Sequence, residues 1–293
     1  MRHSQLTEAD CAIAQSLAVV GDWWSLLLVR DVAGGVHRFE DLRAESGISR
    51  KVLAQRLALL VERGVLEKRC YQEHPPRFEY HLTQTGRGLV PVLVALQDWG
   101  TRFLLGDGTL TATGAAGSLE VRRVHGLVGR RIPHLALRDG RGDPSDPVGE
   151  AAWTVLFCYP GAHATAAAYP PGWDEIPGAA GCTLELIGFR DRAEELASRG
   201  AHLVGVSAQR PDELAAFARK QRLPFTLLSD EDLELAAALR LPTFRVGGAE
   251  RLKRLTLIVD RTREIRCVLY PVADPAAAAA EALRGLDDEL ATA

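Results

Sequence analysis

Cys182 is the residue with the clearest capacity for covalent chemistry. It sits in G-C-T-L-E-L-I-G-F-R-D-R-A-E-E-L, a stretch whose apolar and charged spacing predicts a helix that opens at the cysteine. A thiol must ionise before it acts as a nucleophile. The unpaired amides and positive dipole end of a first helical turn favour that ionisation. The five cysteines, Cys11, Cys70, Cys158, Cys182 and Cys267, are odd in number and widely spaced, and fit neither a disulfide framework nor a C-x-x-C metal site. No metal and no cofactor are expected. Cys158 and Cys267 fall on predicted strands, where a small buried thiol is the simpler role.

A second group of residues could recognise a polyanion. Phe39 to Glu45 predicts a short helix, Ser46 to Ile48 a glycine-containing turn, and Ser49 to Arg63 a second helix capped by Ser49. Leu53, Leu57 and Leu60 share one face of that helix, leaving Arg50, Lys51 and Gln55 on its outer N-terminal side, where a recognition helix meets the major groove. V-L-E-K-R-C-Y and F-E-Y-H-L-T then read as two strands joined by Q-E-H-P-P-R, a wing. Between Arg50 and Arg77 seven Lys or Arg stand against three Glu, so a local basic footprint exists although the whole chain carries a formal charge of -3. The candidate DNA contacts are Ser49, Arg50, Lys51, Gln55, Arg56, His74 and Arg77.

These groups lie in different halves of the chain. Its 293 residues allow about two domains. Gly106 to Ser118, with four glycines and no periodic apolar face, reads as a flexible linker. Helical patterns precede it. After it, apolar runs at Thr154–Phe157, Leu203–Val206 and Leu255–Val259 alternate with helical stretches, the grammar of an α/β domain. The alanine run from Ala276 predicts a closing helix. The expected organisation is a mainly α winged helix-turn-helix domain at 1–105, a linker at 106–118, and at 119–293 an α/β domain that resembles the thioredoxin fold. No apolar run reaches the roughly 18 residues of a membrane span and no secretory core opens the chain, so a cytoplasmic location without membrane association is expected.

The first half resembles the HxlR family of winged-helix regulators through G-D-W-W-S-L-L-L-V-R-D, F-x-D-L, G-I-S-R-K-V-L-A-Q-R-L, P-P-R-F-E-Y-H-L-T and the closing D-W-G. The resemblance implies a homodimer on a near-palindromic double-stranded operator, with the first helix and the Gly86–Phe103 helix at the interface. Leu89, Val92, Leu93, Leu96 and Trp99 suit that interface and equally suit an internal core. Several redox-sensing members carry a cysteine where Cys11 stands; a small buried structural role suits Cys11 as well, and Cys70 likewise.

The second half resembles the peroxiredoxins through R-I-P-H-L-A-L-R-D-G, W-T-V-L-F-C-Y-P-G and the helix opening at Cys182, with a longer loop, A-A-A-Y-P-P-G-W-D-E-I-P-G-A, between. The resemblance implies a peroxidatic Cys182, a peroxide-orienting Arg254 in R-L-T-L-I-V-D, and Glu185 holding that arginine. It departs from the family at Ala179, where a threonine is common, and at Ile187, where related redoxins often place a resolving cysteine. Resolution would need another cysteine or an external thiol reductant. His163, beside Tyr159-Pro160, could polarise the site or be merely solvated. The expected function is a peroxide-responsive transcription regulator. Two alternatives stay open: a thiol peroxidase tethered to a DNA reader, and a regulator whose redoxin domain is a redox-inactive scaffold or binds a ligand.

Overall fold

In the computed structural model, which describes residues 10–292, the leucine row at 53, 57 and 60 becomes the buried face of a helix in the first of two compact units. That unit ends at Leu93. Its elements are α1 (Ala12–Val20), α2 (Trp23–Ala33), α3 (Phe39–Ser46), α4 (Arg50–Glu62), β1 (Leu66–Gln72), β2 (Arg77–Leu82) and α5 (Gln84–Arg87). Leu28, Val29 and Val32 of α2 meet Leu42 of α3 and the α4 leucines in one core.

The turn between α3 and α4 forms as its residue types dictate. Gly47 closes α3 with φ 66°, a left-handed conformation that costs other residues about 1–2 kcal/mol. Ser49 then caps α4, its hydroxyl oxygen accepting from the Val52 amide at 3.4 Å. β1 and β2 pair antiparallel as a wing, with a register shift between Cys70 and Gln72. The expected long helix from Gly86 is divided: α5 stops at Arg87 and α6 (Val90–Trp99) begins afresh before a π-helical turn at Gly100–Leu104. Pro91 explains the restart, because it has no amide to donate and is tolerated only in a first turn. Leu89 and Leu93 pack onto the first core, whereas Val92, Leu96 and Trp99 are exposed. Both sets follow helical spacing, so the five apolar residues serve two faces rather than one.

The second unit begins at Val94. After α7 (Leu119–His125) come β3 (Leu137–Arg138), β4 (Pro144–Ser145), β5 (Trp153–Cys158), α8 (Cys182–Asp191), α9 (Ala193–Ser198), β6 (Ala201–Ser207), α10 (Pro211–Gln221), β7 (Thr226–Ser229), α11 (Glu234–Leu239), β8 (Thr243–Val246), β9 (Ala249–Leu252), β10 (Leu255–Asp260), β11 (Ile265–Leu269) and α12 (Ala278–Thr292). Seven strands form one sheet in the order β11-β10-β5-β6-β7-β3-β4, and β8-β9 is a separate hairpin. β5, β6 and β7 run parallel, while β10 lies antiparallel to β5. This mixed sheet with helical crossovers is the thioredoxin-like arrangement. The three apolar runs expected as strands are β5, β6 and β10. The R-I-P-H-L-A-L-R-D-G stretch, by contrast, contributes only the two-residue β3 and an isolated bridge from Arg131 to Glu264.

β5 alternates with period two. Trp153, Val155 and Phe157 enter a core with Phe189 of α8, Phe217 of α10 and the alanines of α12, while Thr154, Leu156 and Cys158 are buried on the other face. Phe157 stacks on Phe189 at 4.1 Å between ring centroids, which fixes α8 against the centre of the sheet and so aims its first turn at the strand's carboxyl end.

No single helix among the described residues is long and apolar enough to cross a membrane. Deleting the Leu57 side chain by Leu57→Ala should lower the stability of the first unit by about 2–5 kcal/mol in chemical denaturation, because it opens a cavity beneath α4. Exposed Lys51→Ala should stay within about 0.5 kcal/mol of the parent protein. Similar values for the two would contradict the core described here.

Candidate functional site

The outward side of α4 and the wing carry the residues expected to read DNA. Ser49, Arg50, Lys51, Gln55, His74 and Arg77 are all exposed. Arg50 is paired with Glu40 of α3, and its guanidinium lies 5.5 Å from the Phe39 ring centroid. Arg56 is placed differently. It is half-buried, with Nε 3.3 Å from the Asp22 carboxylate that caps α2 through the Ser25 amide. Its guanidinium thus ties α4 to α2. On the wing, Lys68 sits 3.8 Å from the Phe78 ring centroid, and Arg38 bonds Glu79 at 3.0 Å while lying over Tyr71. These aromatic and acidic partners of the basic residues were not apparent from sequence, because cross-strand and inter-helix neighbours are set by register.

In the second unit, Cys182, Glu185 and Arg254 converge although 72 residues separate the cysteine from the arginine. Gly181, at φ 97°, turns the chain into α8 and packs where a Cβ would meet the Pro275 ring at 2.6 Å, so only glycine sets this helix start. Glu185, one turn on, is fully buried and accepts from Arg254 Nε at 2.7 Å. Arg254 Nη1 donates to the Gly178 carbonyl at 2.8 Å, and Nη2 donates to the Ala180 carbonyl at 3.2 Å and to Cys182 Sγ at 3.1 Å. Four acceptors fix the guanidinium against the sulfur.

The electrostatics differ from the expectation of a helix-activated thiolate. Cys182 is only 2% exposed. Burial pushes its thiol up to about 11; the Arg254 guanidinium and the Gly161 amide pull it down, and the Glu185 carboxylate adds to the rise. At that value roughly one molecule in ten thousand is a thiolate at pH 7. The protonated thiol fits its surroundings, since it donates to the Ala179 carbonyl at 3.5 Å while accepting from Arg254. Burial also pushes Glu185 up to about 7, opposed by Arg254. The Tyr159 hydroxyl is buried with no hydrogen-bond partner among the described residues. His163 is buried rather than solvated, with Nδ1 3.7 Å from Glu213 and the Tyr169 ring edge-on at 4.7 Å.

The other cysteines stand apart from this cluster in character. Cys158 is on the far face of β5, and burial drives its thiol far up. Cys267 is half-buried on β11, Cys70 is exposed on the wing, and Cys11 is the half-buried residue preceding α1. All five are free thiols.

The 106–118 stretch makes defined contacts within the second unit. Ala112 is fully buried in a cluster with Trp173, Ile176, Ala179 and Phe244. Its amide donates to the Pro177 carbonyl at 2.8 Å, and the Thr111 hydroxyl donates to the same oxygen at 3.2 Å. Thr113 lies so close to Gly178 that a Cβ there would meet its side chain at 2.9 Å. The Pro177 carbonyl that holds this stretch is adjacent in sequence to the Gly178 carbonyl that holds Arg254. Carbonyl acceptors leave no side-chain signature, which is why sequence reading missed Pro177, Gly178 and Ala180.

Modification of Cys182 by a thiol alkylating reagent, followed by mass analysis of its peptide, should be slow at neutral pH. Ionisation of a thiol increases as pH rises, so the rate should climb about tenfold per pH unit from pH 7 towards 10. A rate already on a plateau at pH 7 would contradict the burial-dominated site.

Residues 19–107 match the HxlR-like helix-turn-helix family, and residues 176–268 match the AhpC/TSA family. An uncharacterized HTH-type transcriptional regulator of Mycobacterium tuberculosis is 40% identical over 93 residues, which are 32% of this chain and 59% of that protein. The chain thus spans about three-fifths of that relative's length. The uncharacterized HTH-type transcriptional regulator YtfH of Escherichia coli is 35% identical over 100 residues, 34% of this chain and 79% of YtfH. Among solved structures, the peroxidoxin BcpB of M. tuberculosis is 29% identical with a TM-score of 0.46, covering 55% of this chain and 96% of its own. Peroxiredoxin Q of Xanthomonas campestris is 24% identical with a TM-score of 0.42, covering 52% and 89%. With a helix-turn-helix and wing in its first unit and a cysteine-headed helix on a mixed sheet in its second, the chain belongs to the HxlR-like helix-turn-helix family of transcriptional regulators and carries an AhpC/TSA-type, peroxiredoxin-like domain in the same polypeptide.

Proposed function

We propose that this regulator binds a near-palindromic operator as a homodimer and that oxidation of Cys182 alters its hold on DNA. The observation that carries the reading is the Arg254 guanidinium, which bonds the Cys182 sulfur at one end and the Gly178 carbonyl at the other. The Pro177 carbonyl beside it holds Ala112 and Thr111, in the chain segment that follows the helix-turn-helix family match.

On the DNA side, Arg50, Lys51 and Gln55 face the major groove and His74 and Arg77 reach phosphates from the wing tip. Arg50 exchanges its Glu40 partner for DNA. Ser49 and Arg56 act by position, the first as helix cap and the second by bracing α4 on Asp22. The exposed row of Val92, Leu96, Trp99 and Phe103, together with Ile13 and Leu17 of α1, supports a dimer interface.

On the thiol side, the minor thiolate of Cys182 attacks one oxygen of a hydroperoxide. A sulfur–oxygen bond forms as the oxygen–oxygen bond breaks. Sulfur loses two electrons to become sulfenic acid, and the leaving oxygen takes a proton from solvent to depart as water or an alcohol. The high thiol pKa, the absence of the threonine at Ala179 and the apolar Ile187 favour a single slow oxidation over rapid turnover. That is the behaviour of a sensor. An oxygen added to a sulfur packed this tightly cannot share the space with Arg254 in its present bonds. Arg254 must shift, and with it the Gly178–Pro177 carbonyls and the segment they hold. An external thiol then condenses with the sulfenic acid to a mixed disulfide, releasing water, and a second thiol attacks that disulfide and returns Cys182 as a thiol.

Replacing Arg50 and Lys51 together by alanine should weaken binding to an operator selected from random duplexes by at least about 30-fold, since each lost contact is worth roughly 1–3 kcal/mol. Unchanged affinity in a gel-shift assay would remove the DNA assignment. Peroxide should change the operator affinity of the parent protein, and Cys182→Ser should abolish the change. Salt-matched affinities equal for oxidised and reduced parent protein would overturn the redox reading.

A further inference from the structure

The second unit also contains a cavity of about 340 Å³, within the usual range for small-molecule sites. Its apolar wall comes from Leu105, Leu110, Leu119 and Phe244. Two of its charged residues are already matched. Lys253 Nζ donates to both Glu120 oxygens at 3.1 Å, and the Tyr270 hydroxyl donates to the same carboxylate. Arg102, also in the wall, donates through Nε to the Gly108 carbonyl at 2.6 Å.

Asp98 is the exception. Its half-buried carboxyl lines the cavity and has no hydrogen-bond or ion-pair partner among the described residues. Burial pushes it up to about 6, and Glu250 adds to the rise, while Lys253 and Arg102 oppose it. A carboxylate in this position gains most from a cation that can also donate a hydrogen bond. An anionic ligand would be repelled by Asp98, and a neutral apolar one would leave it unpaired. The leucines and Phe244 ask in addition for a compact apolar body.

We propose that this cavity binds a small organic cation, an amine carried on an apolar body, with Asp98 pairing the ammonium and Leu110 and Phe244 packing the body. Thr111, Thr113 and Pro177 belong to the same wall. An occupant therefore bears on the segment whose contacts lead to Arg254. Binding stands on the cavity and Asp98 alone; only its link to Cys182 rests on the redox reading.

The test uses two probes of nearly equal size and opposite charge, 2-phenylethylamine and 3-phenylpropionate, titrated calorimetrically into the full chain at neutral pH. The amine should bind saturably and at least tenfold more tightly than the carboxylate. Asp98→Asn should weaken the amine at least tenfold and erase the preference. Ala115→Trp, an exposed position in the wall, should block the cavity without disturbing a core and abolish binding of both. Cys182→Ser should leave amine binding unchanged, which separates this site from the thiol reading. No saturable amine binding, equal affinity for the two probes, or amine binding indifferent to both Asp98→Asn and Ala115→Trp would overturn the proposal.

Discussion

The buried ion pair between Arg254 and Glu185 is the interaction on which the second unit's site depends. Arg254 is 2% exposed and Glu185 fully buried, so each charge is tolerable only because the other lies 2.7 Å away and because backbone carbonyls take the remaining guanidinium protons. Removing one member of such a pair leaves an uncompensated charge that costs about 3–5 kcal/mol. The pair also fixes geometry. Glu185 is one helical turn from Cys182, and Arg254 immediately precedes β10, so their bond locks the start of α8 to the sheet and leaves Nη2 against the sulfur.

The same packing that makes the pair stable makes the thiol quiet. A helix start and a guanidinium both favour thiolate, but the loss of water around Cys182 outweighs them. The loop from Ala166 to Ala179 brings Tyr169 against His163 and Trp173 into the cluster around Ala179, and so contributes to this exclusion of water. A site built this way is poorly suited to continuous turnover. The proposed coupling draws on the same packing, because an oxygen added to the sulfur would displace Arg254 from its present bonds.

Much of this was legible in the sequence, for reasons that differ by element. The α4 leucines, the Ser49 cap and the Gly47 turn are local signals, and the winged helix formed where they placed it. Cys182 could be singled out from the helix it opens, whereas Glu185 and Arg254 could be named only through the resemblance to the peroxiredoxins. The rest was hidden by the nature of the interactions. Arg56 reads as one more basic residue on a polar face until its neighbour Asp22 is known. Gly106–Ser118 has a linker's composition, yet Ala112 is buried, held by a main-chain bond that composition cannot register. The thiol's suppressed ionisation depends on burial, which no spacing rule predicts for a residue at a helix start.

The proposed coupling runs from Cys182 through Arg254, Gly178 and Pro177 to the segment around Ala112. Hydrogen exchange at the Ala112 amide, which donates to the Pro177 carbonyl at 2.8 Å, reports on it directly. The amide should be well protected in reduced protein and exchange at least tenfold faster after one equivalent of peroxide, with no acceleration in Cys182→Ser. Protection at Ala112 that stays the same when Cys182 is fully oxidised would rule the coupling out.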